Sequence, residues 1–101
     1  MDQRLKLHKV LCDILKSKNV YYQPPESTKL KYPCIIYSLD SISSEYANNN
    51  KYTKNKKYKI TYIDSNPDNT TYEDILDLEL CSLNRIFVND NLYHYSFNLY
   101  F

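Results

Sequence analysis

The chain has 101 residues, a formal net charge of +1, twelve tyrosines, three phenylalanines, no tryptophan and no glycine. That length sets a single domain over residues 1–101 as the expectation, and the near-neutral charge argues against a nucleic-acid binder held by bulk electrostatics. The lack of glycine excludes P-loop and dinucleotide fingerprints, whose backbone must approach phosphate closely, and no apolar run reaches the length of a membrane span.

Leu7, Val10, Leu11, Ile14 and Leu15 recur at helical spacing with Lys6, Lys9, Asp13 and Lys16 between them, which predicts an amphipathic helix over residues 2–18. Asn19 is the expected stop. Because the N-terminus opens directly into this mixed-charge pattern, no secretory leader is expected. Val20, Tyr21 and Tyr22 form a short predicted strand, closed by Pro24 and Pro25. After a polar loop, Pro33 introduces an apolar strand over residues 34–39. Residues 43–54 are polar and rich in Asn, and read as the tip of a long hairpin whose return strand spans residues 57–64. On that strand Tyr58, Ile60 and Tyr62 share one face.

Residues 65–69 are a turn. Thr70 with Glu73 three residues on is a capping box, predicting a helix through Leu80 with Ile75, Leu76 and Leu80 turned inward. A strand over residues 85–88 and a tight turn at Asn89, Asp90 and Asn91 follow. The last segment alternates strictly: Tyr93, Tyr95, Phe97, Leu99 and Phe101 on the expected core face, His94, Ser96 and Asn98 on a face free for solvent, a lumen or a partner. The order α-β-β-β-α-β-β predicts an α+β fold, one mostly antiparallel sheet flanked by two helices.

Little in this chain has the pattern of chemistry. Neither His8 nor His94 stands at metal-ligand spacing from a cysteine, so no metal and no cofactor are expected. Cys12, Cys34 and Cys81 are odd in number, far apart and set among apolar residues, which reads as reduced thiols packed as small hydrophobes in a cytoplasmic protein. No catalytic residues are assigned, and the expectation is a protein that is not an enzyme.

The charge is segregated. Lys51, Lys54, Lys56, Lys57 and Lys59 form a run without an acid, whereas Asp64, Asp68, Glu73, Asp74, Asp77 and Glu79 follow without a base. The basic run is interleaved with Tyr52 and Tyr58. Three readings fit it: a solvated hairpin whose lysines block edge-to-edge pairing, a docking contact for an acidic protein surface, and a single-strand nucleic-acid contact. The chain carries an acidic surface of its own, so a head-to-tail assembly can pair Lys51, Tyr52, Lys54, Lys56 and Lys57 of one copy with Asp74, Asp77 and Glu79 of the next.

Four strings carry a resemblance: Val20-Tyr-Tyr-Gln-Pro-Pro-Glu-Ser, Lys31-Tyr-Pro-Cys-Ile-Ile-Tyr, Tyr62-Ile-Asp-Ser-Asn-Pro-Asp and the terminal Asn91-Leu-Tyr-His-Tyr-Ser-Phe-Asn-Leu-Tyr-Phe. In these strings and their order the chain resembles the tail-terminator, or tail-completion, proteins of tailed phages of Gram-positive bacteria, also called head-to-tail joining proteins. The resemblance spans residues 5–101; residues 48–57 and 70–80 are less typical of it. It implies a homo-oligomeric ring, typically of six subunits, that caps the head-proximal end of the tail tube and joins it to the head connector. The implied partners are the tube protein, the connector or stopper protein and, where the tail is contractile, the sheath. DNA is met only in transit through the lumen, and there is no membrane partner. The implied place is the virion neck, reached by assembly in the host cytoplasm. The alternatives are another neck component, a head-completion or stopper protein, and a small nucleic-acid-binding module using the Lys/Tyr hairpin.

Overall fold

The structure, a computed structural model, describes residues 3–47 and 50–101, with side chains over residues 4–42 and 56–101. The first element, α1 (Gln3–Leu15), buries Leu7 and Leu11 completely and half-buries Val10, Ile14 and Leu15, the stripe expected from their spacing. Asp2 lies outside the described residues. The helix stops before the expected boundary, because Lys16 takes a left-handed conformation with φ 59°. The amides of Lys16 and Ser17 both donate to the Cys12 carbonyl, at 2.8 and 3.3 Å, closing the last turn. Asn19 does not end the helix. Its carbonyl accepts from the Ile35 amide at 3.0 Å and its side-chain amide donates to the Pro33 carbonyl at 3.3 Å, so it already belongs to the sheet.

Five strands follow: β1 (Val20–Tyr22), β2 (Cys34–Ala47), β3 (Asn50–Asp64), β4 (Cys81–Asn89) and β5 (Leu92–Tyr100). They form one sheet in the order β1-β2-β3-β5-β4. Only β1 and β2 run parallel, joined by the Pro-rich segment 23–33; the other pairs are antiparallel. The fold is α+β, with the element order read from the sequence.

One face of the sheet makes the core. Ile35, Tyr37, Tyr58, Ile60, Tyr62, Tyr95, Phe97 and Leu99 pack there against Leu7 and Leu11 of α1 and Ile75 of α2 (Thr71–Leu76). Each such side chain contributes roughly 1.5–3 kcal/mol through the apolar surface it removes from water. Tyrosine belongs in this layer only where its hydroxyl finds a partner. The Tyr37 hydroxyl meets His8 Nδ1 at 2.8 Å, Tyr62 donates to the Asp64 carboxylate, and the Tyr95 hydroxyl accepts from Asn69 Nδ2 at 3.2 Å. The rings also stack on one another: Tyr72 lies parallel to Tyr95, with centroids 5.0 Å apart and 2° between planes.

Several expectations give way. The long hairpin expected around 43–54 is there, but its strands reach further than read: β2 runs on to Ala47 and β3 begins at Asn50, and of this segment Asn48 and Asn49 lie outside the described residues. Polar residues sustain this ladder because its hydrogen bonds are backbone bonds, which do not depend on side-chain polarity. The second helix ends at Leu76, and Thr70 caps it without a side-chain hydrogen bond. Leu80, expected to face inward, is 71% exposed and takes φ 61°; the left-handed turn swings the chain into β4, and its carbonyl accepts from the Tyr100 amide at 3.2 Å. Consequently β4 starts at Cys81 rather than Arg85, with a register shift between Leu83 and Arg85. Phe101 is 38% exposed, not core; it falls past the last strand pair, and its amide donates to the Lys56 carbonyl at 3.1 Å. The tight turn holds: Asp90 and Asn91 have φ 52° and 63°, the two-residue hairpin loop that suits Asn and Asp.

Candidate assembly surface

The last pair joining β3 to β5 is Lys57–Tyr100, and β1 stops at Tyr22–Tyr37. Beyond these pairs, among the described residues, 41–47 and 50–56 pair with each other, and the Phe101 amide reaches only as far as the Lys56 carbonyl at the foot. They form a two-stranded arm. Seven residues at about 3.3 Å each carry it roughly 23 Å past the sheet. The molecule accordingly measures 51 × 23 × 23 Å, with a radius of gyration of 14.9 Å, against about 13 Å for a compact chain of this length. Two-stranded ribbons are marginal in water without something to pack on.

This arm holds the basic residues. Lys51, Tyr52 and Lys54 lie on its β3 strand, where the description covers backbone alone. Lys56 is half-buried at its foot. Lys57 is already partnered, its ammonium 3.4 Å from the Asp40 carboxylate at the β2 register shift. Such a surface pair contributes little stability, but it makes Lys57 a weaker candidate for an outside contact than Lys51, Lys54 and Lys56.

The acids from Glu73 to Glu79 lie on α2 and in the turn into the edge strand β4, whereas Asp64 is buried on β3, its carboxylate accepting from the Tyr62 hydroxyl and the Asn66 amide. Glu73 and Asp74 are exposed on α2, Asp77 caps its end with its amide donating to the Glu73 carbonyl at 2.9 Å, and Glu79 is exposed in the turn leading into β4. Among the described residues none of these carboxylates is in an ion pair. The fold therefore places Glu73, Asp74, Asp77 and Glu79 on α2 and the turn into β4 and Lys51, Lys54 and Lys56 on the arm, and among the described residues no ion pair joins the two groups. Beside the acids runs a feature not read from the sequence. Leu83, Ile86 and Val88 stand opposite Phe97, Tyr95 and Tyr93 on the helix-side face, yet are 39%, 51% and 59% exposed. The shift at Asn84 breaks the alternation that would have revealed this row.

The other face of β5 corrects a further expectation. Ser96, assigned to solvent, a lumen or a partner, is only 3% exposed. β5 is an interior strand, and the small serine sits between the longer side chains of Thr61 on β3 and Arg85 on β4. Among the described residues its hydroxyl has no hydrogen-bond partner. His94 and Asn98 are half-buried. His94 stacks on Phe87, centroids 4.6 Å apart and 15° between planes, with the Arg85 guanidinium 4.7 Å from the same ring, and His94 Nδ1 meets the Leu92 carbonyl at 3.0 Å. That layer is a packed surface rather than an open one.

Among the described residues no three His, Cys, Asp or Glu side chains gather as metal ligands. The three cysteines are unbridged. Burial pushes the Cys34 and Cys81 thiols up to about 11, and burial together with Asp13 raises Cys12. At neutral pH all three are protonated and therefore poor nucleophiles. A cavity of about 600 Å³ lies between the segment after β1 and β2, lined among others by Pro24, Pro25, Leu30, Ile36 and Leu39, with Glu26 its one ionisable group.

No protein-family model matches this sequence, and no curated protein matches it.

Proposed function

We propose that this chain is the subunit of a homo-oligomeric ring in the neck of a phage tail, capping the tube and joining it to the head connector. The observation that carries the oligomeric reading is the division of charge between a protruding arm and the α2–β4 side of the sheet: Lys51, Lys54 and Lys56 on one, Glu73, Asp74, Asp77 and Glu79 on the other. Two different, complementary patches on one chain favour a heterologous head-to-tail contact, which closes into a ring when the rotation permits. The tail-neck setting rests on the four strings that resemble tail terminators, and the α+β sheet with flanking helices agrees with the fold that resemblance implies.

Ring formation is measured by light scattering and negative-stain imaging of the purified protein, and position by labelling the neck of the particle. Reversing Lys54 and Lys56 to Glu should weaken assembly, and placing Lys at Asp74 and Asp77 in the same chain should partly restore it, because charges at an interface rim set register and association rate. Unchanged rings from the reversed protein would remove the charge pairing from the account.

A further inference from the structure

We infer that the helix-side row of β4, Leu83, Ile86 and Val88, extended by exposed Leu80 in the turn before it, is the seat of the arm of a second copy of this chain. This rests on the ring reading and names the surface that reading requires.

The row is apolar and uncovered, with exposures of 71%, 39%, 51% and 59%. Isolated apolar side chains at a surface need no explanation, but a continuous row on an edge strand does. β4 is the edge of the sheet, so its outer backbone groups are also open to another strand. Leu80 adds a second oddity, since a branched side chain is held at φ 61° and nevertheless faces water.

Charge selects the occupant. Four acids precede the row in the chain, Glu73 and Asp74 on α2, which packs beside β4, and Asp77 and Glu79 in the turn before β4, all exposed and, among the described residues, in no ion pair. The fitting partner is an extended, basic, partly aromatic segment. The arm of this chain has that composition: Lys51, Lys54 and Lys56 with Tyr46 and Tyr52 in its sequence, and Glu45 its single acid beyond Asp40. The lengths agree as well. Nine residues of β4 extend about 30 Å at 3.3 Å each, enough for an arm of roughly 23 Å.

The chain cannot seat its own arm. β4 begins at Cys81, opposite Leu99, and ends at Asn89, opposite Leu92, so it runs away from the end of the sheet where the arm leaves at Lys57–Tyr100. Each copy therefore offers one arm and one seat at different places, which is the arrangement that builds a ring.

The test uses two variants, neither altering the core. In the seat variant, Ile86→Lys with Val88→Lys changes two side chains that already face water. In the arm variant, residues 44–54 are replaced by Asn-Gly, a two-residue hairpin turn, so that Ser43 and Asn55 still pair. Sedimentation velocity of each alone should give monomer, with self-association weakened at least about tenfold and melting temperature kept. An equimolar mixture should give a one-to-one heterodimer and nothing larger, because the seat variant supplies an arm and the arm variant a seat. If either variant alone assembles like the unmodified chain, or if the mixture stays monomeric, the inference is overturned while the ring reading survives. An unmodified chain that stays monomeric at the highest attainable concentration overturns the ring reading and this inference together.

Discussion

Within β3 two kinds of strand meet. Residues 58–64 lie between β2 and β5 under two helices, and Tyr58, Ile60 and Tyr62 are at most 2% exposed. Residues 50–56 continue the same ladder against β2, and among the described residues no strand pairs with them on the other side. The lower half is held by apolar burial, and its sequence alternates to match. The upper half continues the backbone ladder, and its sequence is Asn, Lys, Tyr and Thr without an apolar stripe. A strand needs a buried face to stabilise a domain, but it needs only a backbone to extend one. What the extension gains is reach, and reach is useful to a subunit that must hold a neighbour.

That contrast predicts very different sensitivities in the two halves. The largest effect belongs to the body. Phe97 is fully buried opposite Ile60, so Phe97→Ala should cost about 3–5 kcal/mol, a large part of the roughly 5–15 kcal/mol available to a small domain. Urea unfolding measures it; a loss below 1 kcal/mol would mean that β5 is not the centre of the core.

A second effect appears at high pH and again belongs to the body. Cys34 is fully buried, and its thiol is raised from 9.0 to about 11. Between those values the unfolded chain has released a proton that the native chain keeps, so stability is complete below about pH 9 and declines as pH rises toward 11. The loss from this one thiol is on the order of 2 kcal/mol at pH 11, and the raised Tyr62 adds to it in the same direction at higher pH. Denaturant midpoints at pH 8 and pH 11 should therefore differ, and the difference should shrink in Cys34→Val. An identical pH dependence in that variant would contradict the assignment.

The smallest effects sharpen the comparison from the other side. Lys16 sits at φ 59°, where a Cβ is costly; Lys16→Gly should stabilise the fold by roughly 0.5–1 kcal/mol once the added freedom of the unfolded chain is set against the strain relieved. Shortening the arm by replacing residues 44–54 with Asn-Gly should change stability by less than about 0.5 kcal/mol, since their strand pairs lie beyond the last pair of β3 with β5. Calorimetry checks both. An arm whose removal unfolds the body would be part of the core after all.

The sequence alone determined what depends on neighbours along the chain. The 3.6-residue stripe of α1, the proline stop after Tyr22, the alternation of Tyr58, Ile60 and Tyr62, and the turn at Asp90 and Asn91 were all legible, because period and backbone preference are local properties. So was the segregation of lysines from acids. The tertiary structure decided everything that depends on what lies across from a residue. It made β5 an interior strand, which closed Ser96 between Thr61 and Arg85. It ended α2 early and turned Leu80 outward, because entry into β4 required a left-handed residue and the chain has no glycine to supply it. It carried the ladder through a polar segment and left Leu83, Ile86 and Val88 uncovered at an edge. Alternation shows which residues share a face; only the packing of distant segments decides whether that face is covered.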